Sequence, residues 1–231
     1  MQFKRLLFFA AICTLGFSAA SAVAAQDLQA VLSRMDAASA KFHTTSADVE
    51  FTTTQTHPIP DTDVMKGAVY YKRDGSNYQM GVHIETDDGQ PSPKVVVCCM
   101  NGDIKLYDKL QNQVTTLNKL SQYESWFMLG FGASGKELEE KWDVKDDGPE
   151  TVDGVKAEKL ELTSKDPDVR AKVPKVILWM DVERAVSLKQ YFDEGNGQSR
   201  TCHYTDIKVN QSLPRDAFSF STDKKTTFSN R

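Results

Sequence analysis

The chain has 231 residues, 40% of them apolar and 26% charged, which supplies a sizeable core and excludes disordered and collagen-like classes. Its 28 basic residues stand against 32 acidic ones, a net charge of −4, and this argues against a nucleic-acid partner, whose phosphates call for a basic surface. Residues 1–25 read as a secretory signal peptide, with Lys4 and Arg5, an apolar run from Leu6 to Phe17, and Ala-Val-Ala-Ala before Gln26. Cleavage near Ala25 removes two cations and no acid, so 26 basic residues then face 32 acidic ones and the charge becomes −6. Ile12 precedes Cys13 where a lipoprotein signal needs a small residue, so lipidation is not expected. No later run approaches the length of a membrane span, and the exported product, residues 26–231, is read as one domain.

From Gln26, Leu28, Val31, Leu32, Met35 and Phe42 recur at helical spacing around Gln29, Arg34, Asp36 and Lys41. One apolar stripe needs one sheet to lie on. Strand signals follow at Ala47–Thr54 and Val64–Lys72, and Asp74-Gly75 marks a hairpin into Tyr78–Ile84. After a loop over Asp87–Pro93, Lys94–Met100 is a continuous apolar run, as for a strand buried on both faces. Asn101-Gly102 turns it into Asp103–Tyr107, and Asn112–Leu117 closes the first half.

Ser121–Phe131 is the unusual stretch. Ser121 and Glu124 have the spacing of a capping box, and Gly130 and Gly132 stop the helix. Trp126, Phe127, Met128 and Leu129 are consecutive and point all round it. Such a helix is either a core element on the sheet or a lid with one face on an apolar ligand, with Gly130, Gly132 and Gly135 as its hinges. Ser134 and Glu137 repeat the box, and Leu138 and Trp142 share a face. Strands return around Asp153-Gly154, at Lys156–Thr163, Lys175–Asp181, Val186–Phe192 and Arg200–Val209, with a last one within Phe218–Phe228. About ten or eleven short strands with regular turns predict a mainly β fold, an antiparallel barrel or strongly curved sheet.

Three cysteines remain after cleavage. Adjacent strand residues face opposite sides, so Cys98 and Cys99 cannot both meet Cys202, and at most one bridge with a leftover thiol is expected. His43, His57, His83 and His203 share no metal-ligand spacing, and no nucleophile elbow or phosphate loop occurs. The reading is a non-enzyme without metal or cofactor.

The order of these landmarks resembles the LolA family of periplasmic lipoprotein carriers. The likeness runs through Lys41-Phe42, Gly67-Ala-Val-Tyr-Tyr-Lys-Arg73, Val97–Tyr107, Gln113-Val114, the Trp126–Phe131 helix, Leu178-Trp-Met-Asp181 and Leu213-Pro214 to Phe218. It implies an unclosed antiparallel barrel with an N-terminal helix and a short helical lid, over an apolar cavity that shields lipoprotein acyl chains between the inner and outer membranes. An inner-membrane lipoprotein-releasing complex and an outer-membrane acceptor are the implied partners, and the carrier is expected to be a monomer. Arg73 matches the family's lid-contacting arginine and Asp74 replaces the usual proline. Arg73, Tyr71, Tyr78, Val97, Tyr107 and Trp179, with Trp126, Phe127, Met128, Leu129 and Phe131 of the lid, are the candidate lipid-contacting residues. The same half-barrel also suits a carrier of another lipid or glycolipid, or a lipid-sensing interaction protein.

Overall fold

The computed structural model describes residues 18–75, 77–98, 104–117 and 129–230, with side chains from residue 27 onward. Among these, the chain forms β1 (Thr44–Gln55), β2 (Asp61–Asp74), β3 (Asn77–Asp87), β4 (Gln90–Cys98), β5 (Ile104–Asp108), β6 (Gln113–Leu117), β7 (Trp142–Val152), β8 (Val155–Ser164), β9 (Lys175–Asp181), β10 (Val186–Gly195), β11 (Gln198–Val209) and β12 (Thr227–Asn230). The helices are α1 (Ser18–Ser39), α2 (Gly135–Lys141) and α3 (Pro167–Lys172).

The strands make one sheet in the order β12, β6, β5, β4, β3, β2, β1, β11, β10, β9, β8, β7. Two meanders meet along β1 and β11, and β7 and β12 end the order unpaired with each other, so the sheet is unclosed. Among the described residues the count is twelve, against the about ten or eleven expected. The terminal strand is only four residues long and lies parallel to β6, the one parallel pair among the described residues.

Two segments that look like loops are strand. Lys145-Asp-Asp-Gly-Pro149 lies within β7, an edge strand, where a bulge between Asp146 and Pro149 costs no bond on the open side. Pro91 and Pro93 lie within β4 beyond Lys94, the last residue paired with β5; past it Lys109 N still donates to the Pro93 carbonyl (3.0 Å), and Pro91 is paired with Thr86 of β3.

Leu106 on β5 and Phe192 on β10 are six steps apart in the order, roughly 29 Å in a flat sheet. They nevertheless line one cleft. The sheet therefore curls, and its inner face takes the core: Val69, Met80, Ile104, Leu160, Leu162, Val176, Leu178, Met180 and Val186 are almost fully buried. Onto it α1 lays the predicted stripe, with Val31, Leu32 and Met35 buried and Phe42, just past the helix end, buried beside them, each contributing about 1.5–3 kcal/mol. The helix starts at Ser18, earlier than the stripe, through a run of good helix formers. Its polar face is tied down by Arg34 on Glu158 (3.0 Å) and Gln29 on Glu139 (3.0 Å).

The outer face of β2 to β5 is covered by residues 213–226. Ala217 is fully buried there, and a Cβ on Gly81 would overlap its carbonyl oxygen. Tyr107 stacks on Phe220 with ring centroids 5.1 Å apart. The expected strand over Phe218–Phe228 is thus mostly irregular, because its task is to cover a sheet face.

Candidate functional site

Arg73 stands at the end of β2, and its guanidinium joins three other elements. Nη1 donates to the Gly132 carbonyl (2.5 Å) and to Ser39 Oγ at the end of α1 (3.2 Å), Nη2 donates to Glu137 Oε1 on α2 (2.6 Å), and Nε donates to Gly75 O (3.1 Å). Ser39 also donates to the Gly132 carbonyl (2.6 Å). Glu137 is the N3 residue of the predicted capping box, made by Ser134 Oγ accepting from Glu137 N and by Glu137 Oε2 accepting from Ser134 N. One carboxylate thus caps α2 and holds the arginine. Burial pushes the Glu137 carboxyl up, but the Ser134 and Arg73 donors outweigh it and hold it below the usual glutamate range.

Residues 129–131, expected as the C-terminal end of the lid helix, are instead a turn and a bridge to Val186, and with Gly132 they are fixed on the sheet. Gly130 O accepts from Ser187 N (2.7 Å), Gly132 N donates to Ala185 O (2.8 Å), and Gln190 Nε2 donates to Leu129 O (2.6 Å). The glycines are close-contact residues rather than free hinges. A Cβ on Gly130 would lie 2.7 Å from Ser187 Cβ, and one on Gly132 would overlap the Phe42 ring; both have positive φ. Phe131 stacks on Tyr71 (centroids 4.1 Å apart, planes 11° apart) and meets Tyr204 edge-on (4.9 Å, 86°).

This aromatic wall separates two spaces. On one side is a pocket of about 470 Å³ bounded by Arg73, Tyr78, Leu129, Phe131, Leu138 and Trp142. On the other a cleft of about 580 Å³ runs inside the curl, walled by Phe51, Met65, Met80, Val82, Ile84 and Phe192 among others. Its few polar groups near the wall stay neutral. Burial pushes the Cys202 thiol up to about 11 and raises the Tyr71 and Tyr204 hydroxyls, while Tyr204 donates to Gln190 Oε1 (3.1 Å). Among the described residues no group of three or more His, Cys, Asp and Glu is placed to hold a metal ion, and no helix is long and apolar enough to cross a membrane.

No protein-family model matches the chain. An uncharacterized protein of Methanocaldococcus jannaschii is 30% identical over 139 residues, which is 60% of this chain and 37% of that protein, so the match spans little more than a third of the relative's length. Among solved structures, an uncharacterized conserved protein from Thermus thermophilus superposes with a TM-score of 0.55 at 14% identity, over 89% of this chain and all of that one. MucB superposes with a TM-score of 0.51 at 14% identity, over 85% of this chain and 63% of its own. The chain shares their fold. A LolA superfamily protein from Nitrosomonas europaea is also similar, at 17% identity and a TM-score of 0.41, over 84% of this chain and 97% of that one.

The sequence-derived candidates divide by face. Tyr71 lines the cleft of this half-barrel, Arg73, Tyr78, Leu129 and Phe131 border the neighbouring pocket, and Trp126, Phe127 and Met128 lie outside the described residues. Val97, Tyr107 and Trp179 are on the opposite face. On β4, Lys94 and Val96 line the cleft, so Val97 points away; on β5, Leu106 does, so Tyr107 points away. Trp179 packs against Ala157 and Leu188, donates to Glu150 (2.7 Å) and lies under Lys189 (4.7 Å from the centroid). Trp179→Phe should therefore cost about 1 kcal/mol in thermal unfolding through the lost hydrogen bond and leave ligand affinity unchanged. The cysteines are settled in part: Cys98 is in a disulfide, and Cys202 is a free buried thiol, so the bridge does not involve Cys202. The contacts of Arg73 form a clasp between β2 and its neighbours. It holds the Gly132 carbonyl because that of Gly130 is taken by β10, and its carboxylate is Glu137 rather than Asp74.

Proposed function

We propose that the protein is a periplasmic carrier, exported by its leader, that encloses the acyl chain of a lipoprotein or another lipid in the cleft inside the curled sheet. The observation that carries this reading is the cleft itself: about 580 Å³, walled by alternate apolar residues of seven strands and uncharged at its inner end. Such a volume lies within the usual range for small-ligand cavities. Each methylene withdrawn from water contributes about 0.8 kcal/mol, so ten of them hold a chain by roughly 8 kcal/mol without any specific polar contact. The LolA resemblance adds an inner-membrane releasing complex as donor and an outer-membrane acceptor as recipient. It also adds a lid formed by the part of the Ser121–Phe131 segment before Leu129, with Trp126, Phe127 and Met128 on the ligand.

Purification from the periplasm of its own host followed by mass spectrometry is expected to find co-purifying lipid or lipoprotein. The Leu106→Trp protein, which fills the cleft from β5, should lose that lipid while melting within a few degrees of wild type. Lipid-free protein from the host, together with a Leu106→Trp variant indistinguishable from wild type in binding an acyl-chain probe, would rule the carrier out.

A further inference from the structure

Charged side chains line the cleft towards one end only. Its inner end is the neutral wall of Tyr71, Phe131 and Tyr204, whereas two cations, Lys94 on β4 and Arg200 on β11, line it towards the β3–β4 and β10–β11 hairpins. Arg200 precedes Tyr204 by four strand residues, and Lys94 precedes Cys98, the partner of Met80, by four. Both cations therefore stand roughly 13 Å from the aromatic wall. They come from opposite sides of the curl, with β3, β2 and β1 between their strands.

Neither cation is saturated. Lys94 Nζ contacts Asp87 Oδ2 at 3.2 Å and has two further N–H donors; Arg200 contacts Glu194 through Nη2, and its guanidinium carbon lies 5.7 Å from the centre of the Phe192 ring. Arg200 Nε is buried without any hydrogen-bond partner. A buried donor of a charged group is costly to leave unmade, and an incoming acceptor removes that cost. Both side chains remain partly exposed, at 27% and 40%, so a head held between them still touches water.

We propose that the ligand is a long-chain amphiphile with an anionic head, carboxylate or phosphate, bound between Lys94 and Arg200 with its tail running to the Tyr71–Phe131 stack. This rests on the carrier reading and narrows it, since a neutral acyl glyceride or glycolipid gains nothing from the two cations. A charge-assisted contact of this kind is worth about one to two orders of magnitude in affinity.

The test compares cis-parinaric acid with its methyl ester by fluorescence titration at pH 7.5; the two probes share a tail and differ in head charge. Wild type is expected to bind the acid about tenfold or more tightly than the ester, with the ratio shrinking in high salt. Lysophosphatidic acid should displace the acid at lower concentration than a monoacylglycerol of the same chain does, and inorganic phosphate at millimolar concentration should not displace it. Lys94→Gln and Arg200→Gln should each reduce the ratio and together bring it to about one, with the affinity for the ester unchanged. Should Arg200→Gln fail to fold, the wild-type ratio and the Lys94→Gln protein still decide. Equal affinity for acid and ester in wild type overturns the anionic head and leaves the carrier standing. Binding of neither probe overturns both, and displacement by inorganic phosphate alone reassigns the cations to a free anion.

Discussion

Phe131→Ala is expected to lower the unfolding free energy by about 3–5 kcal/mol, the usual range for a buried aromatic truncated to alanine. Phe131 is 2% exposed and is held between the Tyr71 and Tyr204 rings, so the vacated space has rigid walls on two sides and little freedom to collapse. Urea unfolding followed by tryptophan fluorescence measures the loss. The same change removes the partition between the 470 and 580 Å³ spaces. A variant that is less stable but gains affinity for longer acyl chains would show that the stack sets the length of tail accommodated. Wild-type stability would instead show that Phe131 is a mobile part of the lid, contrary to the clamped geometry of residues 129–132.

How far the sequence announced this arrangement depends on the kind of signal. The α1 stripe, the Ser134–Glu137 box and the hairpins at Asp74-Gly75 and Asp153-Gly154 were legible because helical spacing, caps and turn residues are local. The inner face of β3 was legible in principle as well, since Met80, Val82 and Ile84 alternate with Gly81 and His83. Parity was lost where apolar residues run together. In Val95-Val96-Val97 and Ile177-Leu178-Trp179-Met180 both faces are apolar because both are covered, so nothing local says which residues face the cleft. Val97 and Trp179 are candidates that face away, whereas Val96 and Leu178 are the ones turned inward. Nor can a sequence show that Gly132 is required by the Phe42 ring, or that Arg200 and Lys94 share a cleft, because these are contacts across the curl.

Arg73→Leu should be the most damaging single change at the surface of the site. It removes donors from the Gly132 carbonyl, Ser39 and Glu137 at once, and so unties β2 from α1, from α2 and from the segment that follows the predicted lid. Arg73 is 25% exposed and Glu137 is 46% exposed, so the ion pair is discounted for solvent, and about 2–3 kcal/mol is expected, mostly from the charge-assisted bonds to Gly132 and Ser39. Glu137→Gln keeps the helix cap in part and should cost less. In a double-mutant cycle the two changes should be strongly non-additive, because both remove the same pair.

The pH dependence has a definite sign. Since the Glu137 carboxyl is held below its unfolded value, its contribution is present in full above the ordinary glutamate range and is lost as pH falls from about 4.3 through the lower folded value. The stability of wild type should therefore fall more steeply in that acid window than that of Arg73→Leu, as thermal melts at pH 3 to 6 would record. Asp74→Pro is expected to leave the clasp intact, because Asp74 takes no part in it. If residues 129–132 are the root of a lid, weakening the clasp by 2–3 kcal/mol shifts the equilibrium towards open by more than tenfold. Transfer of lipoprotein between inner- and outer-membrane vesicles should then change for Arg73→Leu and not for Asp74→Pro. Equal transfer by all three proteins, with the stability loss intact, would make Arg73 a structural tie between β2, α1 and α2 with no part in handling cargo.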